Sequence, residues 1–213
     1  MQSLNQQAER SHPCEAIYFD EMIGFIHSTW KPVSIALVVS RDRMIRSLNV
    51  ASIPASGPSA EKARKLYGER ADLRRPSLVE ALKQCIPIID KDTTFVFDKA
   101  SDYPSLLQNA LPFSPKIETY KGRKAAKIGF GELKGGGWDP LFPLNHTAAM
   151  IRANVNRLLR KTWCTSKRQD RLKLHLELYA FFHNQVLIPI QKKEQKKRTA
   201  LDLAFLQLIG RNQ

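Results

Sequence analysis

The chain has 213 residues, with 34 lysines and arginines against 20 acidic residues and a net charge of +14. This length allows one large domain with a hydrophobic core, and no apolar run approaches the roughly 20 residues of a membrane span. The polar N-terminus argues against a secretory signal, so we expect a cytoplasmic protein. Three scattered cysteines argue against structural zinc and a disulfide framework. The positive charge favours a nucleic-acid partner, with a merely solubilising surface as the alternative.

The first part of the chain predicts a meander of three β-strands. These strands are rich in β-branched and aromatic residues, are separated by short turns and cover residues 16–26, 34–40 and 44–53. Beyond a Ser/Gly/Pro cluster the periodicity becomes helical. The pattern then predicts helices at 59–67 and from Pro76 to about Cys85, a buried strand at 93–97, a helix at 101–110 and a strand at 116–121.

The second part predicts a loop and two long helices. Residues 122–143 are rich in Gly and Lys and predict a long, flexible basic loop. Helices are expected from Asn145 to about Thr162 and from Lys167 to about Asn184. We expect one domain over residues 15–188, preceded by a disordered segment at 1–14 and followed by a basic tail at 189–213.

The order of elements, βββαβαβ and then helices, predicts an α/β fold with an RNase H-like mixed sheet of five strands. In that arrangement the fourth strand lies parallel to the first, which the right-handed crossover rule permits.

Two aspartates are the main candidates for chemistry. Asp20 lies inside an apolar strand, where Asp is disfavoured. Asp98 follows the apolar run 95–97 at the carboxyl end of its strand, where sites form in α/β sheets. If the two strands are neighbours, the carboxylates repel each other unless a cation lies between them. Two Mg²⁺ or Mn²⁺ ions suit such a pair and support phosphodiester cleavage.

The alternative is that both aspartates are ordinary turn or cap residues. Glu21 is predicted to point to the opposite face of its strand and is not expected to be a metal ligand.

Short motifs occur in order along residues 15–184, interrupted by inserts near 55–75 and 116–143. They are Phe19-Asp20-Glu21, Val96-Phe97-Asp98 with Asp102-Tyr103-Pro104, Leu144-Asn145-His146-Thr147, Arg157-Leu158, Arg160-Lys161-Thr162 and Ser166-Lys167. These motifs resemble the catalytic core of DDE-type transposases of compact bacterial insertion sequences. They are most similar to the first-numbered insertion-sequence family, which has a "DE" followed by aromatics, a "D…Y" strand end and a basic helix with R…RL.RKT…SK.

The resemblance implies metal-dependent DNA cleavage and strand transfer during transposition, with Asp20 and Asp98 as the first two acids of a triad. The third acid, a Glu, is expected where this chain has Asn145, which offers a carbonyl oxygen but no charge. Asn is also a favoured N-cap, so Asn145 has both a ligand and a capping interpretation. His146 is a further candidate for a ligand or phosphate contact. The rival third acids are Glu132, Asp139 and Glu177.

Basic side chains beside this site are candidates for phosphate contacts. They are Arg152, Arg157, Arg160, Lys161 and Lys167 on the helices, with Arg123 and Lys124 in the loop. Trp138 has two interpretations, a stacking partner for a frayed base or an anchor in the core.

The partners implied by the resemblance are DNA, as element ends and target, and further copies of the chain in a homo-oligomer on DNA. Only about 15 residues precede the first strand, so we expect end recognition to come from a separate upstream-frame protein, unless the chain is a truncated remnant. Two alternatives to an active transposase stay open at this point: a catalytically impaired DNA-binding remnant and another RNase H-like nuclease.

Overall fold

The computed structural model describes residues 13–100, 102–122, 138–158, 165–197 and 199. Its strands are β1 Ala16–Phe25, β2 Pro32–Ser40, β3 Ile45–Ser52, β4 Thr94–Asp98 and β5 Lys116–Tyr120. Its α-helices are α1 Ala60–Tyr67, α2 Arg74–Lys83, α3 Tyr103–Ala110, α4 Phe142–Asn154 and α5 Gln169–Phe182. Within these residues, no helix is long and apolar enough to cross a membrane.

The strands form a mixed sheet in the order β3-β2-β1-β4-β5. The first three strands pair antiparallel, as their short connections allow, and the β2–β3 turn places Arg43 at a positive φ of 68°. Strand β4 pairs parallel to β1 after a crossover that contains α1 and α2, and β5 pairs parallel to β4. The predicted α/β class and the parallel pairing of the first and fourth strands are therefore confirmed.

Two helical layers cover the sheet, because the side chains of each strand alternate between its faces. In β1, Ile17 and Phe19 pack with α2 and α3 on one face. Tyr18 and Met22 pack with α4 and α5 on the other. Both faces of β1 are thus covered along much of its length, and Asp20 is half-buried there.

The start of α4 differs from the prediction. The helix begins at Phe142, because Asp139 Oδ1 accepts the Leu141 N–H at 3.0 Å and Pro143 fits the first turn. The predicted loop therefore ends before residue 143. Asn145 lies within the helix, where its backbone N–H donates to Leu141 O at 2.9 Å. The N-cap interpretation of Asn145 is consequently wrong.

The end of α4 also differs from the prediction. The helix stops at Asn154, followed by a 3₁₀ turn at Asn156–Leu158. Its predicted continuation to residue 162 lies outside the described residues, as do most of the predicted disordered segment 1–14, the basic loop 122–143 and the tail beyond residue 199.

The end of α5 closes the edge of the sheet. A π-helical turn at His183–Leu187 follows α5, and residues 188–197 continue as helix, so the predicted basic tail begins in helical form. The buried Asn184 side chain accepts the Ile45 N–H at 2.9 Å and donates to Ile45 O at 2.8 Å. Because β3 is an edge strand, this amide takes the place of a neighbouring strand.

Replacing Asn184 with Ala is expected to destabilise the fold by about 1–3 kcal/mol, because the buried Ile45 N–H and C=O would both lose their partner. Urea denaturation of the variant and the wild-type chain measures this loss. Asn109→Ala, at an exposed position of α3, is the matched control and should change stability by less than about 0.5 kcal/mol. Equal effects of the two substitutions would show that the hydrogen bonds between Asn184 and Ile45 do not stabilise the edge strand β3.

Candidate active site

The structure brings Asp20 and Asp98 together. Tyr18 pairs with Val96 in the parallel register of β1 and β4, so Asp20 and Asp98, two residues further along each strand, lie at the same level. Both aspartates have the strand parity of Tyr18 and Val96 and share their face. Asp98 is the last residue of β4, so the pair lies at the carboxyl end of that strand. The two acids therefore lie near each other on neighbouring strands.

The Asp20 carboxyl has a raised pKa. Burial is the largest cause, and the nearby charge of Asp98 raises the pKa further. Hydrogen bonds from the Glu21 backbone and the Tyr103 hydroxyl, and the positive charge of Arg152, act in the opposite direction. The charge of Asp98 therefore acts on Asp20 as expected for two close carboxylates, while the net rise of the Asp20 pKa is due chiefly to burial.

Tyr103 contacts Asp20, a role that the sequence analysis did not give it, although it belongs to the "D…Y" motif of the resemblance. Its hydroxyl donates to Asp20 Oδ1 at 3.0 Å. Its ring lies in the first turn of α3 and packs against Phe19 and Phe97, with centroids 5.1 and 5.6 Å away. Burial and the Asp20 charge raise the pKa of the phenol strongly, so the hydroxyl stays neutral and remains a donor. Its sequence signals were the "D…Y" motif and its place five residues after Asp98, at the start of a helix.

Both described ends of the predicted basic loop lie beside the pair. A Cβ atom added to Gly122 would lie 3.6 Å from Asp98 Oδ2. At the other end, the Trp138 ring contacts Tyr120, the strand partner of Asp98, with centroids 6.2 Å apart. Trp138 is 78% exposed, so its interpretation as a core anchor is wrong.

The predicted phosphate-binding residues are described only in part. Arg152 is exposed on α4, and its charge acts on Asp20. Arg157 is half-buried in the 3₁₀ turn after α4, and Lys167 is exposed just before α5. Four further candidates lie outside the described residues: Arg123, Lys124, Arg160 and Lys161.

Two candidates for the third position of the expected triad contact each other at the start of α4. Asn145 Nδ2 donates to Asp139 Oδ2 at 3.0 Å, while Asp139 Oδ1 accepts the Leu141 N–H. Asp139 directly follows Trp138, so the Trp138 contact with Tyr120 brings this end of α4 to the side of β5. Within the described part of the chain, no three His, Cys, Asp or Glu side chains are grouped closely enough to hold a metal ion.

The remaining candidates are less well placed. His146 packs on Phe142 with centroids 5.1 Å apart, and burial and the charge of Arg43, at the β2–β3 turn, lower its pKa. Glu177 belongs to α5, which packs on β3. Strand β3 lies three strand spacings, about 14 Å, from β4, which carries Asp98, so Glu177 is far from the acid pair. Glu132 lies outside the described residues.

Glu21 faces away from the pair, as predicted. Its carboxylate accepts a hydrogen bond from Ser34 Oγ at 3.1 Å. Ser34 shares its strand parity with Ala36, which packs in the opposite layer. Burial raises the pKa of Glu21.

Comparisons with known proteins identify no relative. No family model matches the chain, and it matches neither a curated protein nor a solved structure. The class that the geometry defines is an α/β protein with a mixed five-stranded sheet and a carboxylate pair on two adjacent parallel strands.

Replacing Asp20 with Asn is expected to stabilise the fold at about pH 7, by on the order of 1 kcal/mol, since a desolvated charge is removed and Tyr103 keeps an acceptor. Because the folded-state pKa of Asp20 is raised above 3.8, the folded wild type holds the proton more tightly than the unfolded chain. Wild-type stability therefore falls as pH rises through that window. The advantage of the variant should vanish at about pH 3, where Asp20 is protonated in both states.

Urea denaturation at several pH values tests this expectation. Asp92→Asn is the control, because a hydrogen bond from Lys116 lowers the pKa of Asp92 and the same substitution should give no gain at neutral pH. A pH-independent effect of Asp20→Asn would contradict the coupling between Asp20 and its surroundings.

Proposed function

We propose that this chain is the catalytic domain of a DDE-type DNA transposase, which cleaves and transfers DNA strands during transposition of an insertion sequence. The observation that carries the proposal is the level placement of Asp20 and Asp98 on adjacent parallel strands. The pKa of Asp20 is raised, chiefly by burial and further by the charge of Asp98. The net charge of +14 supports a polyanionic substrate.

The fold supports an RNase H-like assignment at the level of topology. Three antiparallel strands come first, and two further strands are then added in parallel beside β1, in the order β3-β2-β1-β4-β5. This is the arrangement that the order of elements in the sequence predicted for that fold.

The donor set fits a hard divalent cation. Carboxylate oxygens are the ligands that Mg²⁺ and Mn²⁺ prefer, and a cation would relieve the repulsion that raises the pKa of Asp20. Asp20 and Asp98 would hold the ions. When bound, a pair of such ions supplies an activated attacking oxygen and stabilises the leaving oxygen of a phosphodiester.

The protein's own side chains position the carboxylates and the DNA. The Tyr103 hydroxyl fixes one oxygen of Asp20 through its hydrogen bond, so the other oxygen is oriented for a ligand. Arg152 lies close enough to act on Asp20 and offers a positive charge to a phosphate beside it. The exposed Trp138 offers a ring on which a frayed base can stack.

For the third position we propose Asp139, with Asn145 orienting it. Because no three such side chains of the described residues are grouped as a metal site, Asp139 would join Asp20 and Asp98 only when an ion is bound. Asp139 supplies the negative charge that Asn145 lacks, and the Asn145 amide holds one of its oxygens at 3.0 Å. The alternative of Asn145 itself as the metal ligand uses the oxygen of the same amide group.

A second candidate function is a catalytically impaired DNA-binding remnant of such an enzyme. The uncharged Asn145 at the position of the expected Glu favours it. This candidate retains salt-sensitive DNA binding through the basic surface but has no uptake of Mn²⁺.

The proposed chemistry is tested by nicking and strand transfer on supercoiled and oligonucleotide DNA with Mg²⁺ or Mn²⁺. Asp20→Asn and Asp98→Asn should each reduce activity by at least about 100-fold, because each removes a negative charge from the metal site. Asp92→Asn, before the start of β4, is the matched control and should retain activity. If Asp20→Asn and Asp98→Asn both nick DNA as the wild type does, the site assignment is wrong.

The third position is tested by titrating Mn²⁺ calorimetrically into the folded variants. Asp139→Asn should weaken Mn²⁺ binding by roughly 10-fold or more, and Asn145→Ala should weaken it less if the amide only orients Asp139. Glu177→Gln is the control and should bind as the wild type does. A larger loss in Asn145→Ala would make Asn145 the ligand, whereas a wild-type chain that takes up no Mn²⁺ would favour the impaired remnant.

A further inference from the structure

A second concave surface lies between the β1–β2 hairpin and α1. It is a cleft of about 310 Å³, at the lower end of the range for ligand pockets. Its lining combines one aromatic ring with charged and small residues, chiefly Trp30, Arg64, Glu69, Arg70, Pro54 and Ala63. We call this surface the Trp30 cleft.

Hydrogen bonds hold one guanidinium of the cleft in place. Arg70 Nε donates to Ser52 Oγ at 3.1 Å, and Arg70 Nη2 donates to Pro32 O at the same distance. These contacts fix the Arg70 side chain to the ends of β2 and β3. A charged group that is already ordered loses little conformational entropy when it binds a ligand.

The hairpin side of the cleft is also held in place. The Trp30 backbone N–H donates to Ser28 Oγ at 3.2 Å within the hairpin. Lys31 Nζ lies 4.2 Å from the centroid of the Tyr67 ring, which ties the hairpin to the end of α1. The backbone that carries Trp30 is therefore held within the hairpin, and the hairpin is joined to α1 by a direct contact.

The lining is suited to a nucleotide. An indole is a stacking surface for any base, and two arginines against one glutamate leave the cleft net positive, which favours a phosphate. A base in a duplex is already stacked between its neighbours, so only an unpaired nucleotide presents a free face to Trp30. The volume suits a single nucleotide and excludes a duplex.

The position of the cleft relates it to the acid pair. Trp30 lies in the hairpin that follows β1, and β4 runs parallel to β1, so the cleft and Asp98 lie toward the same end of the sheet. From Asp20 to Phe25, the end of β1, is roughly 17 Å of strand. A strand of nucleic acid that reaches Asp20 and Asp98 can therefore extend a few nucleotides further to Trp30.

We propose that the Trp30 cleft binds one unpaired nucleotide of a DNA strand, with the base on Trp30 and a phosphate on Arg64 and Arg70. The identity of the strand as DNA rests on the proposed function, whereas the preference for an unpaired nucleotide rests on the chemistry of the cleft. A free nucleotide carries the same groups and is the other possible source.

Fluorescence anisotropy with labelled oligo(dT) and a blunt-ended duplex of two annealed strands of equal length tests the proposal, in EDTA so that cleavage plays no part. Trp30→Ala should weaken oligo(dT) binding roughly 10-fold, the scale of one base-stacking contact, and affect the duplex less. Trp30→Phe should restore most of the affinity. Arg64→Gln should lower the slope of log K against log salt by about 0.7, the single-strand value for one phosphate contact.

Lys65→Gln is the matched control for Arg64→Gln. Lys65 is the next residue of α1 and pairs with Glu61 at 2.8 Å, and it does not line the cleft. Equal changes in the two variants would overturn the phosphate contact. Unchanged oligo(dT) affinity in a folded Trp30→Ala chain, or an equal loss for duplex, would overturn the stacking contact.

Competition with dTMP separates the two sources of a nucleotide. Displacement of oligo(dT) by dTMP at concentrations near the oligo(dT) Kd would overturn the strand assignment, and no displacement supports it. Failure of the transposase proposal can be told apart from failure of the cleft proposal. In the first case the wild-type chain would not nick DNA, but its oligo(dT) binding would still be weakened by Trp30→Ala.

Discussion

The parallel pairing of β1 with β4 is the constraint on which the rest of the structure depends. Two residues that are 78 positions apart in sequence, Asp20 and Asp98, meet only because a crossover returns the chain to the free edge of β1. The pairing places both carboxylates at one level, and burial, with a further contribution from the charge of Asp98, raises the pKa of Asp20. Such a pair destabilises the fold, and destabilising groups of this kind are typical of functional sites.

Both helical layers contribute to this site. The layer of α2 and α3 supplies Tyr103, whose ring is held by Phe19 and Phe97 in tilted and edge-on contacts worth about 0.5–1.5 kcal/mol each. The layer of α4 and α5 supplies Arg152 and the Asp139–Asn145 hydrogen bond. The positions of the acids are therefore set by the sheet, while the groups that orient and neutralise them depend on how the helices pack.

The far edge of the sheet keeps the second layer in place. Asn184 pairs with Ile45, and His183 Nε2 lies 2.9 Å from Arg43 O, so the end of α5 is tied to β3 and to the β2–β3 turn. At its other end, Gln169 Nε2 donates to Val50 O at 2.8 Å. The helix is thus fixed along β3 at both ends, and α4 packs beside it over β1 and β2.

The sequence by itself determined the strands and most helices, the parallel return of β4 and the unusual settings of Asp20 and Asp98. Alternation and helical periodicity are local properties, so they can be read without knowledge of the fold. Only the tertiary structure decided that α4 begins before Asn145, that Tyr103 binds Asp20, that Trp138 is exposed and that Trp30 lines a cleft with Arg70. The start of α4 depends on the hydrogen bond from the Leu141 N–H to Asp139, and the other features depend on side chains from distant elements. Such contacts arise from packing, which no local pattern of residues encodes.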